Sequence, residues 1–149
     1  MITSRTVSSL EKIFHDSEPT CASLSEMSML GNERASFQLA YFSDEDTHCG
    51  ISVSGWNPEN MKIYKVVEIN SDMPAYEDSD FYFLRKAPGL YPDMLESVED
   101  GTFLVEKGHY GSIWIELNAS GESDGKHDLF VTVSKGKETV TNVITVDVI

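Results

Sequence analysis

The fold of this chain is decided near its end by the stretch Phe130-Val131-Thr132-Val133-Ser134-Lys135-Gly136-Lys137-Glu138-Thr139-Val140-Thr141-Asn142-Val143. Two runs rich in valine and threonine flank a short polar segment, and this composition is typical of β-strands joined by a turn. Gly136 lies where a tight turn needs a residue that tolerates a positive φ. The stretch therefore predicts a β-hairpin.

The same period of two recurs through most of the chain. Phe37, Leu39 and Tyr41 alternate with smaller or polar residues, as do Ile51 and Val53, which indicates half-buried strands. Further strands are predicted over residues 62–69, 81–85, 102–105, 112–117, 129–134 and 140–148. Residues 10–13 and 24–30 fit either a helical turn or a short strand. Because the strands are short and separated by turn residues, we expect an all-β, immunoglobulin-like antiparallel β-sandwich, a single domain over residues 1–149.

The composition of the chain argues against some classes of partner. The 149 residues include 11 Lys and Arg against 25 Asp and Glu, a formal net charge of −14, which argues against a nucleic-acid partner. Hydrophobic residues make up 40% of the chain, enough for one ordinary core. No apolar run approaches the roughly 20 residues that cross a bilayer, so no membrane partner is predicted. The β-prone run continues to Ile149, which favours a domain cut from a longer chain.

No metal or cofactor is predicted. Asp44-Glu45-Asp46 and Glu77-Asp78-Ser79-Asp80 could offer oxygen ligands to calcium, but neither continues into an EF-hand pattern, and solvated loops are the favoured interpretation. The four histidines lack the spacing of a zinc site. Cys21 and Cys49 are too few for a disulfide scaffold, so we expect two free thiols, with one bridge as the alternative.

Aromatic residues are the candidates for ligand contact, because sugars stack their apolar faces on aromatic rings. Trp56 and Tyr91 lie in segments rich in glycine and proline, which we expect to be loops. Their rings are freer there to face a ligand or another domain, although packing within the loop is the commoner role of such residues. Alternation places Trp114 opposite Ile113 and Ile115, but a strand tryptophan in a sandwich is usually buried, so we expect it in the core. No nucleophile paired with a base can be named, so no catalytic residue is predicted.

Three stretches taken together point to a family: Gly31-Asn32-Glu33-Arg34-Ala35-Ser36-Phe37-Gln38-Leu39, then Pro88-Gly89-Leu90-Tyr91-Pro92-Asp93, then Ser112-Ile113-Trp114-Ile115. They resemble the N-terminal β-sandwich domain of family 123-type glycoside hydrolases, which include β-N-acetylgalactosaminidases. The Pro88 to Asp93 segment is the most specific of the three. Its two prolines restrict the backbone around Tyr91 and Asp93, which suits a surface that contacts another domain.

The resemblance implies a bacterial accessory domain whose partner is the catalytic TIM barrel of the same polypeptide. The family's catalytic carboxylates lie in that barrel, so none is carried over to this chain. Trp56, Tyr91 and Asp93 are the residues expected to brace the barrel or line its cleft. Two alternatives stay open: an independent carbohydrate-binding module, and an immunoglobulin-like spacer or adhesion domain.

Overall fold

The computed structural model describes residues 1–72 and 84–149, which form two five-stranded sheets packed face to face. The strands are β1 Ile2–Ser8, β2 Glu26–Met29, β3 Arg34–Ser43, β4 Thr47–Ser54, β5 Met61–Ser71, β6 Gly89–Ser97, β7 Thr102–Val105, β8 Tyr110–Asn118, β9 Gly125–Lys135 and β10 Glu138–Val148. The first sheet has the strand order β1-β3-β8-β5-β6, and the second has the order β2-β10-β9-β4-β7. The predicted β-sandwich is therefore confirmed.

The core lies between the sheets and is built by alternate residues of the central strands. Phe37 and Leu39 of β3 are fully buried, and Ile115 of β8 lies directly opposite Phe37. Leu129, Val131 and Val133 of β9 fill the facing layer and are equally buried. Burying one such side chain contributes about 1.5–3 kcal/mol to the free energy of unfolding. The side chains that alternate along these strands therefore stabilise the sandwich.

The predicted hairpin is confirmed as β9 and β10, which pair from Lys135 opposite Glu138 down to Gly125 opposite Val148. Gly136 has a φ of 59° in the turn, a value that residues with a Cβ rarely adopt. The long register matters because β10 also pairs with β2 on its other side, and that pair is parallel. All other strand pairs in the described parts of the chain are antiparallel.

Several predicted elements need correction. Residues 24–30 resolve into the short strand β2, whereas residues 10–13 form neither a helix nor a strand. The strand predicted over 81–85 lies partly outside the described residues, and Leu84 and Arg85 are not in a strand. Strand β1 was not predicted. The Pro88 to Asp93 segment was expected to be a loop, but from Gly89 onward it belongs to β6. An edge strand accepts a proline because one of its sides has no ladder partner.

Residues 9–25, here called the strap, connect β1 to β2 and contribute a second, smaller core. Ile13 of the strap is buried with Val7 and Ala40, and Cys21 and Tyr110 pack against this group. A three-residue 3-10 turn, Pro58–Asn60, is the one helical element in residues 1–72 and 84–149. In those residues no helix is long and apolar enough to span a membrane.

The strap is fastened by Gln38, whose side chain is only 3% exposed. Its Nε2 donates to the carbonyl of Ser8 at 3.1 Å and to that of Glu11 at 2.8 Å. Its Oε1 accepts from the hydroxyl of Ser112 at 3.0 Å. Because a buried amide must have its hydrogen bonds satisfied, Gln38 fixes where the strap begins.

Strand β5 leaves the body of the first sheet halfway along its length. It pairs with β8 only from Met61 to Lys65, whereas it pairs with β6 from Tyr64 to Ser71. Residues 66–71 and 89–95 therefore form a two-stranded ribbon, here called the arm. Pairing in the arm shifts between Val67 and Glu68, so that Asp93 is an extra, unpaired residue in a β-bulge.

Candidate functional site

Trp56 is buried, which agrees with a packing role and not with a ring that faces a ligand. Only 6% of it is exposed, and it belongs to the main core. Its Nε1 donates to the carbonyl of Asn60 at 3.3 Å, and its ring lies edge-on to His127 with centroids 5.2 Å apart. The chain can turn inward here because Gly55 has a φ of 95°, and a Cβ there would lie 2.0 Å from the carbonyl oxygen of Asp128.

Tyr91 and Asp93 lie on β6, which is one edge strand of the first sheet, and β1 is the other. Tyr91 is half-buried: its hydroxyl donates to the carbonyl of Ala87, and its ring meets Phe14 of the strap edge-on at 5.9 Å. Asp93 is exposed in the bulge. Tyr91 and Asp93 thus share one strand, and no contact in the described parts of the chain joins either of them to Trp56.

Trp114 was expected in the core, but it lies half-buried on the outer face of the first sheet. Ile113 and Ile115, its neighbours, point into the core and are fully buried. Strict alternation therefore decides the orientation of this strand, and the general tendency of tryptophan to be buried does not. Alternation is the signal that could have placed Trp114 outside.

A cavity of about 210 Å³ on this outer face brings Trp114 together with Asp93. Gln38, Lys12 and Pro92 also contribute to its wall. An aromatic ring beside a carboxylate is a combination that can hold a polar ring-shaped ligand, whereas the amide of Gln38 is already bonded within the protein. The sequence predicted Asp93 as a candidate site residue, whereas Trp114 was expected in the core and not at a site.

A neighbouring cavity of about 220 Å³ lies where the strap passes between β8 and the arm. His15, Glu68, Glu106, His109 and Tyr110 are among its lining residues. Nδ1 of His109 lies 2.9 Å from Oε2 of Glu106, and the imidazoles of His15 and His109 meet edge-on at 5.2 Å. These histidines are far apart in sequence, so spacing gave no signal of their proximity.

The acidic cluster at residues 44–46 is engaged by cations and amides of the protein itself. Lys135 lies 3.0 Å from Oε2 of Glu45 and 3.6 Å from Oδ1 of Asp44, while Oδ1 of Asp46 accepts from the amide of Lys107 at 2.8 Å. The hydrogen bond with Glu45, together with the charges of Glu45 and Asp44, raises the pKa of Lys135 above its ordinary value. The cluster at residues 77–80 lies outside the described residues. Among those described, no group of three or more His, Cys, Asp and Glu side chains is arranged to hold a metal ion.

Both cysteines are free, as expected. Cys49 belongs to the main core between the sheets, and Cys21 packs on the small core under the strap. Burial raises the pKa of the Cys49 thiol, which makes its thiolate scarce at neutral pH.

The chain is similar in fold to proteins of known structure. No protein-family model and no curated protein matches this chain. Among solved structures it is similar to a family 123 glycoside hydrolase from Clostridium perfringens that acts in glycolipid glycan hydrolysis, with a TM-score of 0.74 and 15% identity. The match covers 100% of this chain and 27% of the hydrolase. This chain therefore has the fold of a part, about a quarter, of a glycoside hydrolase chain.

Two further solved structures have lower TM-scores. One is AvmM, which catalyses macrocyclization in alchivemycin A biosynthesis, with a TM-score of 0.44 and 11% identity over 98% of this chain and 88% of that one. The other is PapD-like domain 7 of human CEP192, with a TM-score of 0.40 and 11% identity over 85% of this chain and 82% of that one.

Proposed function

We propose that this chain is a noncatalytic accessory β-sandwich domain of a glycoside-hydrolase-like protein, and that it packs against the catalytic barrel and forms part of the wall of the substrate cleft. The observation that carries this proposal is the structural match over 100% of the chain to only 27% of a glycoside hydrolase. The three sequence stretches that resemble the same family also support it.

The chemistry of the described residues is consistent with an accessory role. A hydrolytic site needs a nucleophile or water-activating base beside a proton donor, all facing one cleft. Here two carboxylates of the cavity of about 220 Å³ are held by the fold: Glu68 accepts the backbone N–H of His15, and Glu106 lies against His109. In this proposal the bond-breaking carboxylates belong to the barrel, as in the family that the sequence resembles.

The proposal is tested first on the native polypeptide. Intact mass should show an extension beyond Ile149 of roughly 250 residues or more, the size of a TIM barrel. Limited proteolysis and calorimetry should then show one cooperative transition for the docked sandwich and barrel. A native polypeptide without such an extension would contradict the proposal directly.

A second candidate is an independent carbohydrate-binding module, and the cavity between Trp114 and Asp93 favours it. Because Trp114 lines this cavity, a bound sugar should change its fluorescence in a titration with glycans that contain N-acetylgalactosamine. Trp114→Phe should abolish the response, whereas Trp56→Phe should preserve it, since Trp56 is buried in the core. A flat response across the glycan panel in the unsubstituted protein would remove this candidate.

A further inference from the structure

Several large apolar side chains of the arm are exposed. A two-stranded hairpin is marginally stable in water, and on the β8 side residues 66–71 of β5 pair with no strand among the described residues, because the strap lies there instead. Ile69 is 41% exposed and Met94 51% exposed on one face of the ribbon, whereas the exposed Leu90 and Leu95 lie on the opposite face. Clustered apolar residues of this kind mark an interaction surface more often than scattered ones do.

The two faces of the arm differ, because residues directly opposite each other in a sheet share a face. The face that carries Glu68 and Pro92 is covered by the strap: Glu68 accepts the N–H of His15 at 3.0 Å, and Lys12 approaches the carbonyl of Pro92 at 3.5 Å. The other face carries the opposed pairs Val67–Met94 and Ile69–Tyr91, and the ring of Tyr91 also meets Phe14 of the strap. We call this second face the docking face.

The charge around the docking face selects the partner. Glu96, two residues beyond Met94 on the same face of β6, is exposed, and the ion pairs within residues 1–72 and 84–149 do not include it. It lies opposite Lys65, whose Nζ donates to the carbonyl of Leu104 at 2.8 Å. A carboxylate beside an apolar patch complements a patch bordered by lysine or arginine. A second copy of this chain, with a net charge of −14, would bring this carboxylate from both copies into a symmetric contact.

The edge of β6 also favours contact through side chains. Pro92 lacks a backbone N–H, and the bulge at Asp93 interrupts the regular ladder. Both features hinder the addition of a further strand to this edge. The partner is therefore expected to cover the docking face with side chains rather than to extend the sheet.

From these observations we propose that the docking face of the arm, Val67, Ile69, Tyr91 and Met94, seats an apolar patch bordered by basic residues on the catalytic domain of the same polypeptide. This inference rests on the proposed function. It deepens that proposal by naming the surface that makes the contact, and it places Tyr91 on that surface and Glu96 at its rim.

The test uses amide hydrogen exchange on the native polypeptide that contains the catalytic domain. The double variant Ile69→Lys, Met94→Lys places charge on the docking face, and the matched control Phe130→Lys, Val143→Lys changes a similarly exposed opposed pair on β9 and β10. In the unsubstituted protein and the control, exchange in the arm should be slowed about tenfold or more relative to the double variant. Peptides from the core strands should exchange alike in all three proteins, which shows that the sandwich is folded.

Glu96→Lys is a milder second variant, should the double variant fail to fold. It reverses one exposed charge without adding charge to the apolar pairs, and it should also speed exchange in the arm if the partner patch is basic. An arm that exchanges at the same rate in all variants, while another surface is protected by the catalytic domain, would overturn this inference and leave the proposed function standing. Concentration-dependent protection of the arm would also overturn it, in favour of a second copy. A native polypeptide without a catalytic domain would overturn both.

Discussion

One carboxylate oxygen of Glu68 in β5 contacts both the backbone and the side chain of His15 in the strap. Oε1 of Glu68 accepts the backbone N–H of His15 at 3.0 Å. Nδ1 of the His15 imidazole lies 3.3 Å from the same oxygen, within ion-pair distance but without hydrogen-bond geometry. The carbonyl of His15 accepts the amide of Tyr110 at 2.9 Å. His15 therefore joins the arm to β8 at the point where the two strands separate.

The first prediction concerns this junction. Glu68→Ala should lower the free energy of unfolding by about 1–2 kcal/mol, because the N–H of His15 loses its acceptor in a half-buried place. Glu68→Gln keeps an acceptor oxygen and should lose less than half as much. Urea unfolding followed by fluorescence measures both, with the exposed Glu96→Gln as the control. Equal losses for the two Glu68 variants would show that the carboxylate charge, and not the hydrogen bond, stabilises the junction.

The second prediction concerns Gln38. Gln38→Leu should destabilise the protein by about 2–3 kcal/mol, since it leaves the carbonyls of Ser8 and Glu11 and the hydroxyl of Ser112 without this partner in a buried place. A control is Thr132→Val, which removes one hydroxyl pair on the outer face of the second sheet and should cost under about 0.5 kcal/mol. The comparison is made from urea midpoints at a fixed m-value. A Gln38 variant as stable as this control would contradict the role assigned to the amide.

The third prediction concerns pH. A hydrogen bond from Arg85, 2.6 Å away, lowers the pKa of Asp16 below its ordinary value. A carboxylate whose pKa is lower in the folded state adds stability above its unfolded pKa, roughly 3.9, and loses that contribution as the pH falls through the folded value. Hydrogen exchange in the strap should therefore accelerate as the pH falls below about 4, after correction for the intrinsic rate. In Asp16→Asn this additional acceleration should be absent, and its persistence would assign it to another acid.

The fourth prediction concerns the thiols. Cys49 is buried in the main core and its pKa is raised by that burial, so it should react with a thiol reagent only when the sandwich opens. Cys21 is half-buried and should react at least tenfold faster in the folded protein. Labelling of Cys21→Ser and Cys49→Ser variants separates the two rates. A disulfide between the two cysteines in the folded protein would be incompatible with their separate cores.

The sequence by itself determined the sandwich and its central strands. Alternation at Phe37 and Leu39 and along Leu129, Val131 and Val133 must bury one face of each strand, because only one side of a two-layer sheet meets the core. Gly136 likewise determined the hairpin, since the turn between β9 and β10 depends only on residues within the stretch itself. Such local signals need no knowledge of distant neighbours.

The positions of Trp56, the strap and the arm depend on long-range packing. Trp56 is buried because the backbone at Gly55 passes close to Asp128, more than seventy residues away along the printed sequence. Trp114, in contrast, is outside because its neighbouring isoleucines fill the core, as alternation alone would indicate. Pro92 reads as a loop residue, yet it pairs with Glu68 at the sheet edge. Except for Trp114, each outcome depends on which distant segment lies alongside, and that choice follows from the packing of the whole sandwich rather than from local preference.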